Sequence, residues 1–273
     1  MKKIKRILSV LLVCCLFSAL LPSAALAADI IDSGTWGDNI TWELDSEGTL
    51  TISGNGAMPD APNPIGVPWC SNKDSIVNVI IKDGVTCIGS YAFYYCSKLT
   101  SILISDDVSN IGTYAFSGCS ELTEIVIPKH VVSIGAWAFY RCTNLKSISI
   151  PEGVSTIEMF AFSECSNLTD VYVPQNVTSI EDRAFLACVS LVNITIPNGV
   201  TLIGPDAFSG CNSLSKVVIP NSVINIGARA FAGCNLNEIN IPASVLSIGE
   251  SPFSWCINLA NIIVDADNPN YKN

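Results

Sequence analysis

Cysteine offers more potential chemistry than any other residue type in this 273-residue chain, which contains 12 cysteines. Eight of them recur every 23 residues, with one final step of 22. They are Cys96, Cys119, Cys142, Cys165, Cys188, Cys211, Cys234 and Cys256. This spacing matches no zinc-site pattern. A disulfide ladder is also disfavoured, because one cysteine cannot bond both of its neighbours with the same geometry. We therefore predict buried, reduced, structural thiols and no metal site.

Other catalytic signatures are scarce. His130 is the only histidine, so any Ser-His-Asp or Cys-His arrangement would have to use it. Nucleophile-elbow, P-loop and H-E-x-x-H patterns do not occur. The acidic residues are scattered, which leaves a glycosidase-like carboxylate pair neither located nor excluded. We expect no enzyme and no cofactor, with a carbohydrate-active enzyme as the weakest alternative.

Phenylalanine follows the same period as cysteine, and the two belong to one repeated frame, V-x-x-I-G-x-x-A-F-x-x-C-x-x-L-x-x-I-x-I-P. The phenylalanines are Phe93, Phe116, Phe139, Phe162, Phe185, Phe208, Phe231 and Phe253. The alternating I-x-I predicts a short strand that the following proline ends. V-x-x-I predicts a second strand, and the frame glycine predicts a sharp turn with a preferred left-handed backbone. The A-F-x-x-C segment predicts a single helical or 3₁₀ turn.

One repeat cannot be stable alone. It buries about seven apolar side chains at roughly 1.5–3 kcal/mol each. Ordering its backbone costs about 1–2 kcal/mol for every residue. Stacked neighbours must supply the missing burial, so a fixed period of this size predicts a solenoid.

Stacking turns each variable position into a continuous column on the surface. The position before Ala-Phe carries Tyr91, Tyr114, Trp137 and Phe160, followed by polar residues. The position between the two strand isoleucines is apolar in five of eight repeats, including Leu103, Val126, Tyr172 and Val218. Either column could bind a protein or a glycan. Alternatively, the aromatic residues stack on one another and shield the core.

The frame, repeated eight times over residues 85–264, resembles the BspA-like leucine-rich repeat family of bacterial surface and secreted proteins. The resemblance implies a leucine-rich repeat solenoid, a right-handed β-rich superhelix with short helical or 3₁₀ turns. It also implies a role in adhesion to host or neighbouring-cell macromolecules.

Three other segments complete the domain organisation. Residues 1–27 have the basic start, apolar core and small-residue exit of a secretory signal peptide. Residues 28–84 predict an N-terminal β-hairpin cap, with strands around Trp42 and Ile52. Residues 265–273 form a turn-rich tail, in which Asp265, Asp267 and Asn268 predict a polar turn rather than a calcium loop. We expect the chain to be truncated, with closure of the stack by the tail as the alternative.

Export changes the electrostatics and the redox chemistry. The signal peptide holds four of the 14 basic residues and no acidic residue, which leaves 10 basic against 24 acidic residues and a net charge near −14. This charge disfavours nucleic acid, and we expect no membrane insertion after cleavage. An oxidising compartment permits a Cys70–Cys87 disulfide that pins the cap.

We therefore expect a secreted or cell-surface protein that binds a protein or glycan on another cell or in the matrix. The alternative is a passive spacer or display stalk within a larger surface protein.

Overall fold

The computed structural model describes residues 28–272, and the predicted signal peptide lies outside the described residues. Within this range there are 18 strands: β1 (Ile30–Trp36), β2 (Ile40–Asp45), β3 (Thr49–Gly54), β4 (Gly56–Ala57), β5 (Asn78–Ile81), β6 (Val85–Ile88), β7 (Ser101–Ile104), β8 (Asn110–Ile111), β9 (Ser133–Ile134), β10 (Ser147–Ser149), β11 (Thr156–Ile157), β12 (Asp170–Tyr172), β13 (Ser179–Ile180), β14 (Leu202–Ile203), β15 (Asn225–Ile226), β16 (Glu238–Ile241), β17 (Ser247–Ile248) and β18 (Asn261–Val264). Two 3₁₀ helices, Pro64–Gly66 and Cys70–Ser75, lie in the cap. None of the helices in this range is long and apolar enough to cross a membrane.

The strands form a parallel β-solenoid of about eight coils, where a coil is one circuit of the chain. The predicted solenoid is confirmed. L-x-x-I-x-I segments stack on one side, as in the parallel pairs β5–β7, β10–β12 and β16–β18. V-x-x-I segments stack on another, in the sheets β4-β6-β8-β9 and β11-β13-β14-β15-β17. Between repeats, the paired residues lie 23 positions apart, or 22 between β15 and β17, so the repeat period sets the register.

The A-F-x-x-C segment forms a third ladder instead of a helix. Hydrogen bonds between residues three apart close successive tight turns, as from Tyr94 N to Tyr91 O and from Cys96 N to Phe93 O. Alternate N–H groups point to the next coil, where Phe93 N donates to Ala115 O at 2.8 Å. The predicted short 3₁₀-type turn is therefore present, but left-handed residues such as Tyr91 and Tyr95 keep it from continuing as a helix.

The left-handed conformation predicted at the frame glycine is wrong. The frame glycines all have negative φ values, whereas the residue two positions later has a φ of 52–64° in every coil, as at Tyr91 and Arg229. The glycine is needed for close approach between coils. A Cβ added at Gly227 would lie 2.2 Å from Pro205 N, and one at Gly249 would lie 2.3 Å from Ala228 N.

The eight phenylalanines stack through the middle of the solenoid. Successive rings lie 5.2–5.4 Å apart from Phe93 to Phe231 and 5.9 Å apart at Phe253. Trp69 extends the stack into the cap at 6.1 Å from Phe93. Each ring from Phe93 to Phe231 is completely buried. One hydrophobic core therefore runs through the cap and the repeats.

The N-terminal cap is a hairpin that continues into the solenoid. The predicted hairpin is confirmed, since β2 pairs antiparallel with β3 and places Trp42 opposite Ile52. The structure adds β1, which pairs antiparallel with β2 and forms the outer edge. Although residues 49–57 lack the repeat motif, β3 and β4 pair in parallel with β5 and β6. The cap thus supplies a first coil with an unrelated sequence.

The C-terminal tail folds back on the last coil as a polar turn. Asn268 is buried, and its amide donates to Pro242 O and Val245 O. Ile248 N donates to the Tyr271 hydroxyl oxygen. Asn268 and Tyr271 lie 23 residues after Val245 and Ile248, so they occupy the next V-x-x-I position in register. The other ladders of this last coil, including β18 and Trp255, remain exposed.

Candidate functional site

The two columns predicted to bind lie on different ladders and have different exposures. On the L-x-x-I-x-I ladder, Leu103, Val126, Tyr172 and Val218 are 62, 61, 50 and 66% exposed. We call these four residues the strand ridge. Their neighbours along the strands point inward, as the buried Ile125 and Ile127 do. Coils are about 4.8 Å apart, so the five steps from the first member to the last span about 24 Å.

The strand ridge is an interrupted apolar line. Ser149 and Thr195 occupy the intervening positions, and both are exposed. The Tyr172 hydroxyl donates to Glu152 Oε1 at 2.7 Å, which fixes the ring and raises the pKa of Tyr172. A surface of this kind offers separate apolar contacts within a polar surround, which is the usual composition of a protein-recognition surface.

The aromatic column consists of Tyr91, Tyr114, Trp137 and Phe160, and these rings stack on one another. Successive ring centroids lie 4.9, 5.4 and 3.7 Å apart, and the rings are within 14° of parallel. All four are half-buried. Their faces are therefore occupied by each other, and the column presents mainly ring edges. This arrangement agrees with the alternative of mutual stacking, and it disfavours sugar binding on the ring faces within the column.

Three further aromatic residues flank the column and were not identified from the sequence. Tyr94 packs edge-on against Tyr91 at 5.6 Å and contacts Tyr95 at 4.7 Å. Tyr140 packs edge-on against Trp137 at 5.0 Å. These residues occupy the variable positions of A-F-x-x-C, so a column-by-column reading of that segment would have found them.

Ion pairs continue the same face. Arg141 pairs with Glu164 at 2.7 Å, and Glu164 also accepts a hydrogen bond from the Tyr140 hydroxyl. Burial and this hydrogen bond raise the pKa of Tyr140 to about 12. After Phe160, the same frame position carries charged residues in the next three coils. The buried Asp206 is paired with both Arg183 and Arg229, and the Arg183 guanidinium lies 5.2 Å above the Phe160 ring.

The cysteine ladder has a specific structural role. From Cys119 to Cys256, each ladder thiol donates to the carbonyl oxygen of the ladder phenylalanine in the preceding coil, for example Cys119 Sγ to Phe93 O at 3.2 Å and Cys142 Sγ to Phe116 O at 3.1 Å. That carbonyl already accepts a backbone N–H, as Phe93 O does from Cys96 N. A small S–H donor therefore fills the second acceptor site of a buried carbonyl.

Burial also removes the reactivity of these thiols. It raises the pKa of Cys96, Cys165 and Cys211 to about 12, and that of Cys119, Cys142 and Cys188 well above 9.0. The thiolate is the nucleophile and the metal-binding form of cysteine. At neutral pH these residues are thus protonated packing groups.

The proposed Cys70–Cys87 disulfide is absent from this structure, in which both residues are free and half-buried. The two thiols have different surroundings. Cys70 begins a 3₁₀ helix and influences the pKa of Cys96. Cys87 lies on β6, where burial and the Asp60 carboxylate raise the pKa of its thiol.

The remaining candidates for chemistry are dispersed. His130 Nδ1 lies 3.1 Å from Asp106 O on the exposed surface. Glu158 and Glu181 replace the frame glycine in adjacent coils, and burial followed by the Glu181 charge raises the pKa of Glu158. Within residues 28–272, no three His, Cys, Asp or Glu side chains form a group that could hold a metal ion.

Comparison with known proteins gives a family and a set of similar folds. Residues 64–192 and 178–272 match the family described as BspA type leucine rich repeat region, with six copies. Among curated proteins, none matches the chain.

Three solved structures are similar over most of the chain. A leucine rich cell surface protein from Faecalibacterium prausnitzii A2-165 is 32% identical, with a TM-score of 0.60 over 86% of this chain and 77% of the other. A leucine-rich repeat protein from Bacteroides ovatus ATCC 8483 is 28% identical, with a TM-score of 0.68 and coverages of 83% and 70%. One from Eubacterium ventriosum ATCC 27560 is 26% identical, with a TM-score of 0.59 and coverages of 86% and 73%.

Proposed function

Because the chain belongs to the BspA-type leucine-rich repeat family, we propose that it is an exported recognition module that binds a macromolecule on another cell or in the matrix. The fold is a typical non-enzymatic scaffold, and we assign it no catalytic step. Export is supported by the sequence of residues 1–27 and by the similar cell surface protein of Faecalibacterium prausnitzii.

The observation that carries this proposal is the division between the interior and the exterior of the solenoid. The phenylalanine and cysteine ladders occupy the interior from the cap to the last coil. From Phe93 to Phe231 and from Cys96 to Cys234, no ligand can reach these side chains without unfolding a coil. Function must therefore lie on the outer columns, which differ from coil to coil while the interior stays constant.

Of the two predicted columns, the strand ridge is the better candidate for a protein partner. Leu103, Val126 and Val218 are each more than 60% exposed, so a partner could cover them and gain apolar burial. At about 25 cal/mol per Å² of apolar surface, covering three such side chains stabilises a complex by a few kcal/mol. In the aromatic column, by contrast, most of the area of the ring faces is already covered by the neighbouring rings.

The charge of the described residues narrows the class of partner. With 10 basic and 24 acidic residues, phosphate backbones and anionic lipid surfaces are repelled. A protein is favoured over a glycan because the exposed ridge residues are mainly aliphatic, whereas sugar binding uses exposed aromatic faces.

A bead-attachment assay tests the proposal. Beads coated with residues 28–272 are applied to epithelial cells, to neighbouring bacteria and to matrix proteins. We expect attachment that is lost when the target surface is treated with protease and retained when its glycans are oxidised with periodate. Loss with periodate alone would identify a glycan partner, and no attachment to any surface would favour the spacer function.

A further inference from the structure

A small cavity of about 120 Å³ lies where the cap meets the first repeat. The cap side of this cavity is lined by Ile65, Val67, Cys70 and Lys73, and the repeat side by Tyr91 and Tyr94. It is separate from the strand ridge and from the phenylalanine stack.

The cavity exists because the aromatic column ends there. One face of Tyr91 stacks on Tyr114, at 4.9 Å and 7° from parallel. Tyr114 does not line the cavity, whereas cap residues do, so the cavity lies on the cap side of Tyr91. In the cap, the residue two positions before the stacked ring of Trp69 is Val67, whose φ is −83° instead of positive. A short side chain on an extended backbone thus leaves the next ring position empty.

The size of this cavity suits one planar ring. An apolar cavity of about 150 Å³ is known to bind benzene, so about 120 Å³ suits a single aromatic side chain. The ring would stack on Tyr91 while Tyr94, inclined by 69° to Tyr91, packs against its edge. Offset-stacked and edge-on contacts are the preferred geometries of aromatic pairs. Ile65, 84% exposed, adds an apolar contact at the opening.

Lys73 determines the charge of a suitable ligand. It is the only charged residue lining the cavity, and among residues 28–272 it forms no ion pair. Its ammonium lies 6.0 Å from the Tyr95 ring centre. A carboxylate beside the bound ring would pair with it. A sugar fits less well, because its hydroxyls would lose water in an apolar cavity that offers few partners.

We infer that this cavity is a binding slot for an aromatic side chain of a protein ligand, presented next to an acidic residue. The inference names one contact of the recognition function proposed above and rests on it for its biological meaning. The slot itself is a property of the cap and the first coil, so it can be tested without knowing the natural partner.

Alkylation of Cys70 provides the readout, since Cys70 lines the slot whereas Cys87, which is also half-buried, does not. Residues 28–272 are treated with iodoacetamide in the presence of the peptide acetyl-Asp-Phe-Asp-amide, and the two cysteines are followed by mass spectrometry. At nine-tenths occupancy we expect Cys70 to react about tenfold more slowly, with Cys87 unchanged. The peptide acetyl-Asp-Ala-Asp-amide should give no protection, and acetyl-Asn-Phe-Asn-amide should give less.

Two variants and one control complete the experiment. Ile65→Ser and Lys73→Gln should weaken protection without changing the melting temperature, because Ile65 is exposed and the half-buried Lys73 forms no ion pair among residues 28–272. In the control variant Leu103→Ser, on the strand ridge, the peptide should protect Cys70 as well as it does in the wild type. Equal protection by the phenylalanine and alanine peptides, or none at millimolar concentrations, would overturn the slot. If the slot test fails but the beads still attach, the slot is refuted and the proposed function is not. If the slot test succeeds but the beads attach to no surface, the proposed function is refuted and the slot is not.

Discussion

Raising the pH should unfold this protein through its buried thiols. Seven ladder cysteines are buried, and burial raises the pKa of each above the value of 9.0 that is usual for an exposed thiol. Above pH 9 the unfolded chain releases these protons while the folded chain retains them. The folded state then binds more protons, so the free energy of unfolding falls as the pH rises.

The magnitude follows from the number of thiols. Between pH 8 and pH 10, each thiol with an unfolded pKa of 9.0 stabilises the unfolded state by about 1.4 kcal/mol. Seven such thiols give roughly 10 kcal/mol, which is comparable with the whole stability of a typical domain. Tyr140, whose pKa burial raises to about 12, adds a smaller contribution at the upper end of this range.

Urea unfolding at pH 7, 8, 9 and 10 in the presence of a reducing agent measures this effect. We expect a nearly constant free energy up to pH 8 and a steep loss above pH 9. A Cys142→Ala variant is less stable at pH 7 but should lose about 1.4 kcal/mol less between pH 8 and pH 10. A free energy of unfolding that changes by less than about 1 kcal/mol over this range would refute the buried, protonated ladder.

Three further predictions concern the interior. Phe162→Ala should cost about 3–5 kcal/mol of stability by chemical denaturation, and Phe253→Ala clearly less because that ring is only half-buried. Gly227→Ala should cost about 1–3 kcal/mol through contact with the preceding coil, whereas Glu181→Ala, at the same frame position, should cost little. Native protein should react quickly with a thiol reagent at no more than three cysteines, and unfolded, unreduced protein at ten. The three are Cys70, Cys87 and Cys256.

For each of these three predictions, one experimental outcome would contradict the reasoning. Equal losses for Phe162→Ala and Phe253→Ala would mean that the stack does not carry the core. A fully stable Gly227→Ala variant would refute close approach between coils. Eight reactive thiols in the unfolded, unreduced protein would mean that one disulfide is present, and if the two unreactive residues were Cys70 and Cys87, the bridge expected from the sequence would be restored.

The repeat frame predicted the interior because stacking leaves it little freedom. A period of 23 residues forces each phenylalanine over the next, and alternation assigns the inward isoleucines such as Ile148 and Ile150. The hairpin was also predictable, since alternating residues around Trp42 and Ile52 flank a turn.

The surface geometry was much less predictable. Each coil has two left-handed residues, and the one before Ala-Phe is Tyr, Trp, Phe, Arg, Asp or Ser. Of these types only Asp is enriched in a left-handed backbone, so this position carries little signal in the sequence. The frame glycine drew the prediction to the wrong position because close approach and left-handed backbone both favour glycine. Whether Tyr91 and its neighbours expose faces or edges depends on that backbone, so the sequence left both possibilities open.

The position of the C-terminal tail on the last coil was also not predicted from the sequence. Asn268 and Tyr271 are polar or amphipathic where the frame has Val and Ile, so the match to the frame was not visible. Their hydrogen bonds to the last coil replace the apolar contact that a frame residue would make.

Attachment of the strand-ridge variant tests the account most directly. The triple substitution Leu103→Ser, Val126→Ser and Val218→Ser removes exposed apolar area and leaves the phenylalanine and cysteine ladders intact. Beads coated with this variant should bind target cells at least tenfold less than wild-type beads, which corresponds to a loss of about 1.4 kcal/mol, while the melting temperature stays unchanged. Unchanged attachment by a fully folded triple variant would contradict recognition through the ridge.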